Sequence, residues 1–198
     1  MLSLQGDFAE HIAMFGQLGI VARKVKLPRD LEGITHLVVP GGESSAISML
    51  LESAELVDPI RAFLKEGGAF FGTCAGMIIG AAEILDGRPD QIALGAIDIG
   101  VRRNGFGRQV NSFEAAIVID GIEGPPMVVA FIRAPVVTRV GPGVEVLAQV
   151  AYEFAEGKVE VVPAVCRSGN VLVSSFHPEV TGDSRLHKLF LESFNVES

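Results

Sequence analysis

The chain has little with which to bind nucleic acid, cross a membrane or build a disulfide framework. Its 198 residues carry 16 Lys and Arg against 24 Asp and Glu, and no basic cluster stands out. A formal net charge of -8 repels phosphate backbones and argues against a nucleic-acid partner. No apolar run reaches the roughly 18 residues that a membrane helix needs, so no membrane partner is expected. The amino terminus lacks a basic segment, and Asp7 and Glu10 follow almost at once, unlike a secretory signal. A cytoplasmic setting is therefore expected. There, a structural disulfide between the two cysteines, Cys74 and Cys166, is disfavoured, and Cys166 reads as a core residue. The four histidines, at 11, 36, 177 and 187, form no metal-ligand spacing with one another or with cysteine. No metal and no other cofactor are expected. Linkers, repeats and low-complexity tracts are missing too, so residues 1–198 read as a single domain. Hydrophobic residues make up 48% of the chain, and the mean hydropathy is +0.41. That suffices for a sizeable core.

The chain is organised around Gly72-Thr73-Cys74-Ala75-Gly76. Apolar Ala69-Phe70-Phe71 leads in, and residues 77–85 lead out with apolar positions at helical spacing. The pattern predicts a strand, a sharp turn and a helix. Glycines on both sides let the backbone bend and a substrate approach closely. A helix N-terminus beside the sulfur favours the thiolate. Taken alone, the stretch is also compatible with a small apolar cysteine packed at a strand end.

Earlier in the chain, Leu2-Ser3-Leu4 reads as an abbreviated first strand. Asp7 reads as a helix cap, and Phe8, Ile12, Phe15 and Leu18 recur at helical spacing. Residues 20–25 alternate and predict a second strand, and 36–40 a third. Gly41-Gly42-Glu43-Ser44-Ser45 then opens a helix, and another begins at Asp58-Pro59. This alternation predicts an α/β fold with a parallel sheet covered on both faces. In such a sheet the ligand sits at the carboxyl ends of the strands. Both glycine turns fall at such ends and are expected to face one crevice. Residues 86–93 read as a loop. Strands are expected at 97–101, 116–119, 128–132, 144–150, 159–165 and 171–175, some antiparallel. A last helix follows Gly182-Asp183, with Leu186, Leu189, Phe190 and Phe194 inward.

A nucleophilic thiol needs a base, and the base needs an orienter. Phe176-His177-Pro178-Glu179 supplies both directly after an apolar strand. His177 and Glu179 are two apart and project to one side of an extended segment, stiffened by Pro178. By contrast, His11 and His187 read as exposed residues on helix faces, and His36 as a strand opener. Acyl chemistry also needs an oxyanion hole of backbone amides. Ala75, directly after the cysteine, and Gly42 are placed to supply them.

These segments resemble class I glutamine amidotransferases in order and spacing: 40–44, 71–76 and 175–179. More narrowly, the chain is similar to the glutaminase subunits of two-component pyridoxal 5'-phosphate synthases. That likeness rests on Leu4-Gln5-Gly6, on 103–109, on Ser112-Phe113-Glu114 and on Phe131-Ile132-Arg133-Ala134-Pro135. The resemblance implies a flavodoxin-like, three-layer sandwich with a central, mostly parallel sheet. It implies hydrolysis of L-glutamine to glutamate and ammonia through a thioester on Cys74, with His177 moving protons and Glu179 orienting it. Gly42, Glu43, Ser44, Arg103, Ile132 and Arg133 are implied to hold glutamine. The implied partner is a TIM-barrel synthase subunit in a large hetero-oligomer, which joins the ammonia to a pentose phosphate and a triose phosphate. Chemically, arginine suits the α-carboxylate of glutamine, and Glu43 or a backbone carbonyl suits its α-ammonium. The chain departs from the family pattern at Ser45, where threonine is commoner, and at Gly105, where a small polar residue is usual. Rival readings are a glutaminase serving another synthase, a hydrolase or deglycase sharing the cysteine elbow, and a silent scaffold. The arginine segments, the His-Pro-Glu at the last strand and the intact triad argue against these in turn.

Overall fold

The computed structural model describes residues 1–103, 112–153 and 158–194. In chain order the elements are α1 (Phe8–Gln17), β1 (His36–Val39), α2 (Ser44–Ser53), α3 (Val57–Lys65), β2 (Ala69–Thr73) and α4 (Ala75–Gly80). Then come β3 (Ala81–Ile84), β4 (Ile97–Arg102), β5 (Phe113–Ile117), β6 (Met127–Phe131), β7 (Val136–Val140), β8 (Glu145–Glu153), β9 (Val159–Ser168), β10 (Val171–Ser174) and α5 (Arg185–Ser193). The main sheet runs β1-β2-β10-β9-β8. Its first three strands are parallel, and β9 and β8 extend it antiparallel. A second sheet, β3-β4-β7, and a β5-β6 hairpin pack beside it.

Strand periodicity sends alternate residues to two cores. Phe71, Val38 and Leu172 join one, with Phe15, Phe131, Phe176 and Phe190. Phe70, Leu37, Val39 and Val173 join the other, with Ile47, Leu51, Met77 and Ile79. Both faces of the central strands are therefore covered, which is why β2 and β10 are apolar and buried throughout. Cys166 lies fully inside the second core, and burial pushes its thiol up to about 12. Among the described residues, no helix is long and apolar enough to cross a membrane.

Several expectations are corrected. The first two strands shrink to one parallel bridge, Leu2 to Val25, with the Leu2 amide donating to the Val38 carbonyl at 2.9 Å. Residues 20–24 alternate in sequence but pair with no strand among the described residues, and Val21 is 97% exposed. The helix expected over 77–85 stops at Gly80, and residues 81–84 pair with β4 instead. Strand β7 was not anticipated; it supplies the antiparallel partner of β4. Asp7 precedes α1 but its carboxylate caps no amide. His11 and His187 are both fully buried, contrary to the exposed positions expected for them.

The parallel register sets the site. Val39 lies beside Gly72, and Thr73 beside Ser174. The carboxyl ends of β1, β2 and β10 therefore finish level, and the segments 40–44, 74–76 and 175–179 leave from one edge.

Candidate active site

Cys74 sits between β2 and α4 with φ 47° and ψ -102°. That is the left-handed side of backbone space, costly for a residue with a Cβ. The surroundings enforce it. The Cys74 amide donates to the Ser174 carbonyl at 2.8 Å. Gly76 lets the turn press against β1, since a Cβ there would collide with the Val39 carbonyl. The helix leaving the turn has only six residues, so its dipole is a smaller influence on the sulfur than a long helix would be.

His177 is placed by a backbone bridge to β6: its amide donates to the Ala130 carbonyl at 2.9 Å. The same bridge carries Ile132 and Arg133, just past β6, to the same edge. The Ile132 carbonyl lies 3.9 Å from the Cys74 sulfur. Gly41 makes room for the imidazole, because a Cβ there would collide with it. His177 Nδ1 donates to Glu179 Oε1 at 2.7 Å, and the Glu179 side chain is fully buried. Burial by itself would lower the His177 pKa. Hydrogen bonding to the Cys74 sulfur and to Glu179, with the charges of both, outweighs it and pushes the pKa up to about 10. An imidazolium beside the sulfur is thereby favoured at neutral pH.

These groups open into a cavity of about 530 Å³, the size of a small-molecule site. Gly42, Glu43, Ser44, Cys74, Arg103, Ile132, Arg133, His177 and Glu179 all line it. Of the expected site residues only Ala75 is absent from the lining; it is buried beneath the turn. Glu43 is already engaged: its carboxylate accepts from the Ser45 and Ala46 amides at 3.0 and 2.6 Å and caps α2. Partial burial would raise its pKa, but these amides, the Ser45 hydroxyl and Arg103 hold it below the usual carboxylate range. Arg103 donates to Gln91 at 3.1 Å and to Glu43 at 3.3 Å. The rest of the arginine segment, with Gly105, lies outside the described residues. Arg133 differs. It adopts φ 46°, a strained conformation for an arginine, and no described residue offers it a hydrogen bond or ion pair.

Sequence reasoning missed two parts of the site. Gln5, Gly6, Asp7 and Glu10 also line the cavity. Gln5 Oε1 accepts from the Glu43 amide at 2.9 Å, and Asp7 Oδ2 lies 3.4 Å from His177 Nδ1. Ligand atoms of Asp7, His177 and Glu179 fall within 4.8 Å of one another, a spacing that admits a cation. A cation there would compete with the proton that His177 and Glu179 share. The second part lies behind Glu179: His11 Nε2 is 3.2 Å from Glu179 Oε2 and 3.0 Å from Thr73 Oγ1, and His11 Nδ1 is 2.8 Å from His187 Nε2.

Burial lowers the His11 pKa well below the usual value, and the nearby His187 and His177 lower it further. Burial likewise takes His187 down to about 4, with Asp183 opposing. Both are neutral in the folded protein at pH 7, whereas in the unfolded chain they gain protons near pH 6.5. Between about pH 6.5 and 4 the unfolded state binds more protons, so stability is expected to fall as pH falls. His187 alone contributes about 3 kcal/mol of this loss by pH 4. Denaturant titrations at pH 7 and 4.5 measure it; equal stabilities would contradict a neutral buried pair.

The α/β sheet covered on both faces is the class I glutamine amidotransferase fold. A solved structure described as "Crystal structure of glutamine amidotransferase" superposes with a TM-score of 0.87 at 46% identity, over 98% of this chain and 97% of that one. PurLQS from Thermotoga maritima shares the fold alone, with a TM-score of 0.66 at 12% identity, over 97% of this chain and 95% of that one. The chain belongs to the SNO glutamine amidotransferase family, whose model matches residues 1–196. It is 50% identical over 194 residues to "Pyridoxal 5'-phosphate synthase subunit PdxT" of Rhodococcus opacus, covering 97% of this chain and 94% of the relative. It is 51% identical over 192 residues to the protein of that name from Salinispora arenicola, with the same coverage.

Proposed function

We propose that the chain acts as one glutaminase domain that hydrolyses L-glutamine to L-glutamate and ammonia and passes the ammonia to a pyridoxal 5'-phosphate synthase subunit. What supports this is that Cys74, His177 and Glu179 all line one cavity, with His177 hydrogen-bonded to Glu179. The Cys74 thiolate attacks the side-chain carboxamide carbon. Backbone amides of Ala75 and Gly42 receive the charge that develops on oxygen. His177, protonated, gives its proton to the departing ammonia, leaving a thioester. Neutral His177 then takes a proton from water, hydroxide adds to the thioester, and glutamate leaves as the thiolate is restored. Glu179 holds the imidazole in line throughout.

Gly42, Glu43, Ser44, Arg103 and Ile132 shape the substrate pocket. Glu43 acts chiefly as a cap and as a counter-ion for Arg103. Arg133, which lines the cavity and has no ion-pair partner among the described residues, is the natural partner of the glutamine α-carboxylate. Arg133→Ala is expected to raise KM about tenfold or more with a smaller change in kcat, the loss of a hydrogen-bonded charge pair. Steady-state kinetics at several glutamine concentrations test this; an unchanged KM would assign Arg133 to the surface.

Ammonia released to water would be wasted, which supports a complex whose synthase docks near the mouth of the cavity. Glutamate release is measured for the chain alone and with the synthase subunit. A higher rate in the complex is expected. No release under either condition would refute the glutaminase reading, and equal rates would refute the coupling alone.

A further inference from the structure

We propose that His11, backed by His187 and Thr73, is a positioning residue that locks the Glu179 carboxylate in place through its Nε2–H. This rests on the triad reading above. Glu179 is a buried carboxylate with two oxygens to satisfy. Oε1 takes the Nδ1–H of His177 at 2.7 Å. Oε2 has no well-aligned hydrogen-bond donor among the described residues; its polar neighbour is His11 Nε2 at 3.2 Å. The His11 N–H points more directly at Thr73 Oγ1, 3.0 Å away, with the carboxylate oxygen to one side. An unpartnered carboxylate oxygen away from water is costly, so this donor matters to where the carboxylate rests.

The network selects the tautomers. Neutral imidazole has one N–H and one lone pair. With the proton on His11 Nδ1, the Nε2 lone pair would face the carboxylate, and the two would repel. With the proton on Nε2, the N–H bonds Thr73 Oγ1 and turns its positive edge to the carboxylate oxygen 3.2 Å away, and Nδ1 accepts from the Nε2–H of His187 at 2.8 Å. His187 Nδ1 is then a bare lone pair, in keeping with its lack of any hydrogen-bond partner among the described residues. Packing supports this choice. His187 stands edge-on to Phe15 and Phe71, with ring centroids 5.0 and 5.6 Å apart, and His11 edge-on to Phe71. These apolar walls hold both rings and exclude water. Thr73 immediately precedes Cys74, so α1 and α5 are tied through two imidazoles both to the cysteine turn and to the carboxylate behind its base.

The test separates positioning from packing. His11→Leu keeps the bulk and removes the donor; His11→Gln returns an amide N–H near the same place. In the complex with the synthase subunit, His11→Leu is expected to lower kcat about tenfold with KM within twofold. His11→Gln is expected to recover to within about threefold of the original enzyme. The rate of Cys74 alkylation by iodoacetamide against pH reads the thiolate–imidazolium pair directly, and His11→Leu should move that profile where His11→Gln does not. Equal kcat and equal alkylation profiles for all three proteins would overturn the proposal, as would equal losses in both variants. Should either variant fail to fold, the unaltered protein labelled with nitrogen-15 histidine decides. At pH 7, His11 and His187 are both expected as neutral Nε2–H tautomers; Nδ1–H on His11, or a charged His11, would overturn the proposal. That readout does not depend on glutaminase activity, so it stands apart from any failure of the functional reading.

Discussion

Cys74→Ala is expected to reduce glutamate release by about 10⁴-fold or more, alone and in the complex, with little change in stability. Loss of a covalent nucleophile removes the whole thioester route, and the remaining His177 and Glu179 cannot replace it. Alanine keeps the Cβ, so it inherits the strained φ of 47° rather than relieving it. Glycine at the same position would relieve it. Cys74→Gly is therefore expected to be equally inactive yet more stable, by up to about 1 kcal/mol. Thermal unfolding of the two variants beside the original protein distinguishes them. Glutamate release above about one hundredth of the original rate in either variant would mean that another group attacks the amide.

Gly76→Ala carries the second large effect, on folding and on activity together. The added Cβ would strike the Val39 carbonyl oxygen and lie 2.9 Å from its carbon. Both are backbone atoms of β1, which is hydrogen-bonded to β2 along its length and cannot move alone. A destabilisation of about 3 kcal/mol or more is expected, at the high end for overpacking. Any relief by shifting β1 would also displace Gly41 and Gly42, which follow it, and so open the cavity. Gly16→Ala is the control. Its site near the end of α1 has no atom within 4 Å of a new Cβ, and a gain of up to about 1 kcal/mol is expected. Chemical denaturation of both variants checks the contrast. A Gly76→Ala protein as stable as the original would show that the cysteine turn is looser than this packing implies.

Much of this chemistry is written locally. Glycines around a cysteine, His-Pro-Glu after an apolar strand and Gly-Gly-Glu after another are short-range patterns. A turn, a strand end and a helix cap depend on neighbours a few residues away, so composition and spacing suffice to expect them. The parallel sheet is legible for the same reason, because a strand buried on both faces is apolar along its whole length. Boundaries were harder to foresee. Residues 81–84 follow a helical pattern, and pairing with β4 overrides that preference. Residues 20–24 alternate like a strand, but alternation forms no ladder without a partner.

The depth of the site could not have been foreseen from spacing. His11 and His187 are 176 residues apart, and each looks like a polar residue on an amphipathic helix. A buried polar group is tolerable when its partners are present, and here the partners come from α1, β2 and α5 at once. Nothing within a few residues of either histidine signals that. The residue types, their order and the chemistry of thiol, imidazole and carboxylate follow directly from the amino acids. Which oxygen of Glu179 is left to His11, and that Arg103 is held by Glu43 while Arg133 finds no partner among the described residues, depends on distances between segments far apart in the chain. Those distances exist only once the strands have come into register.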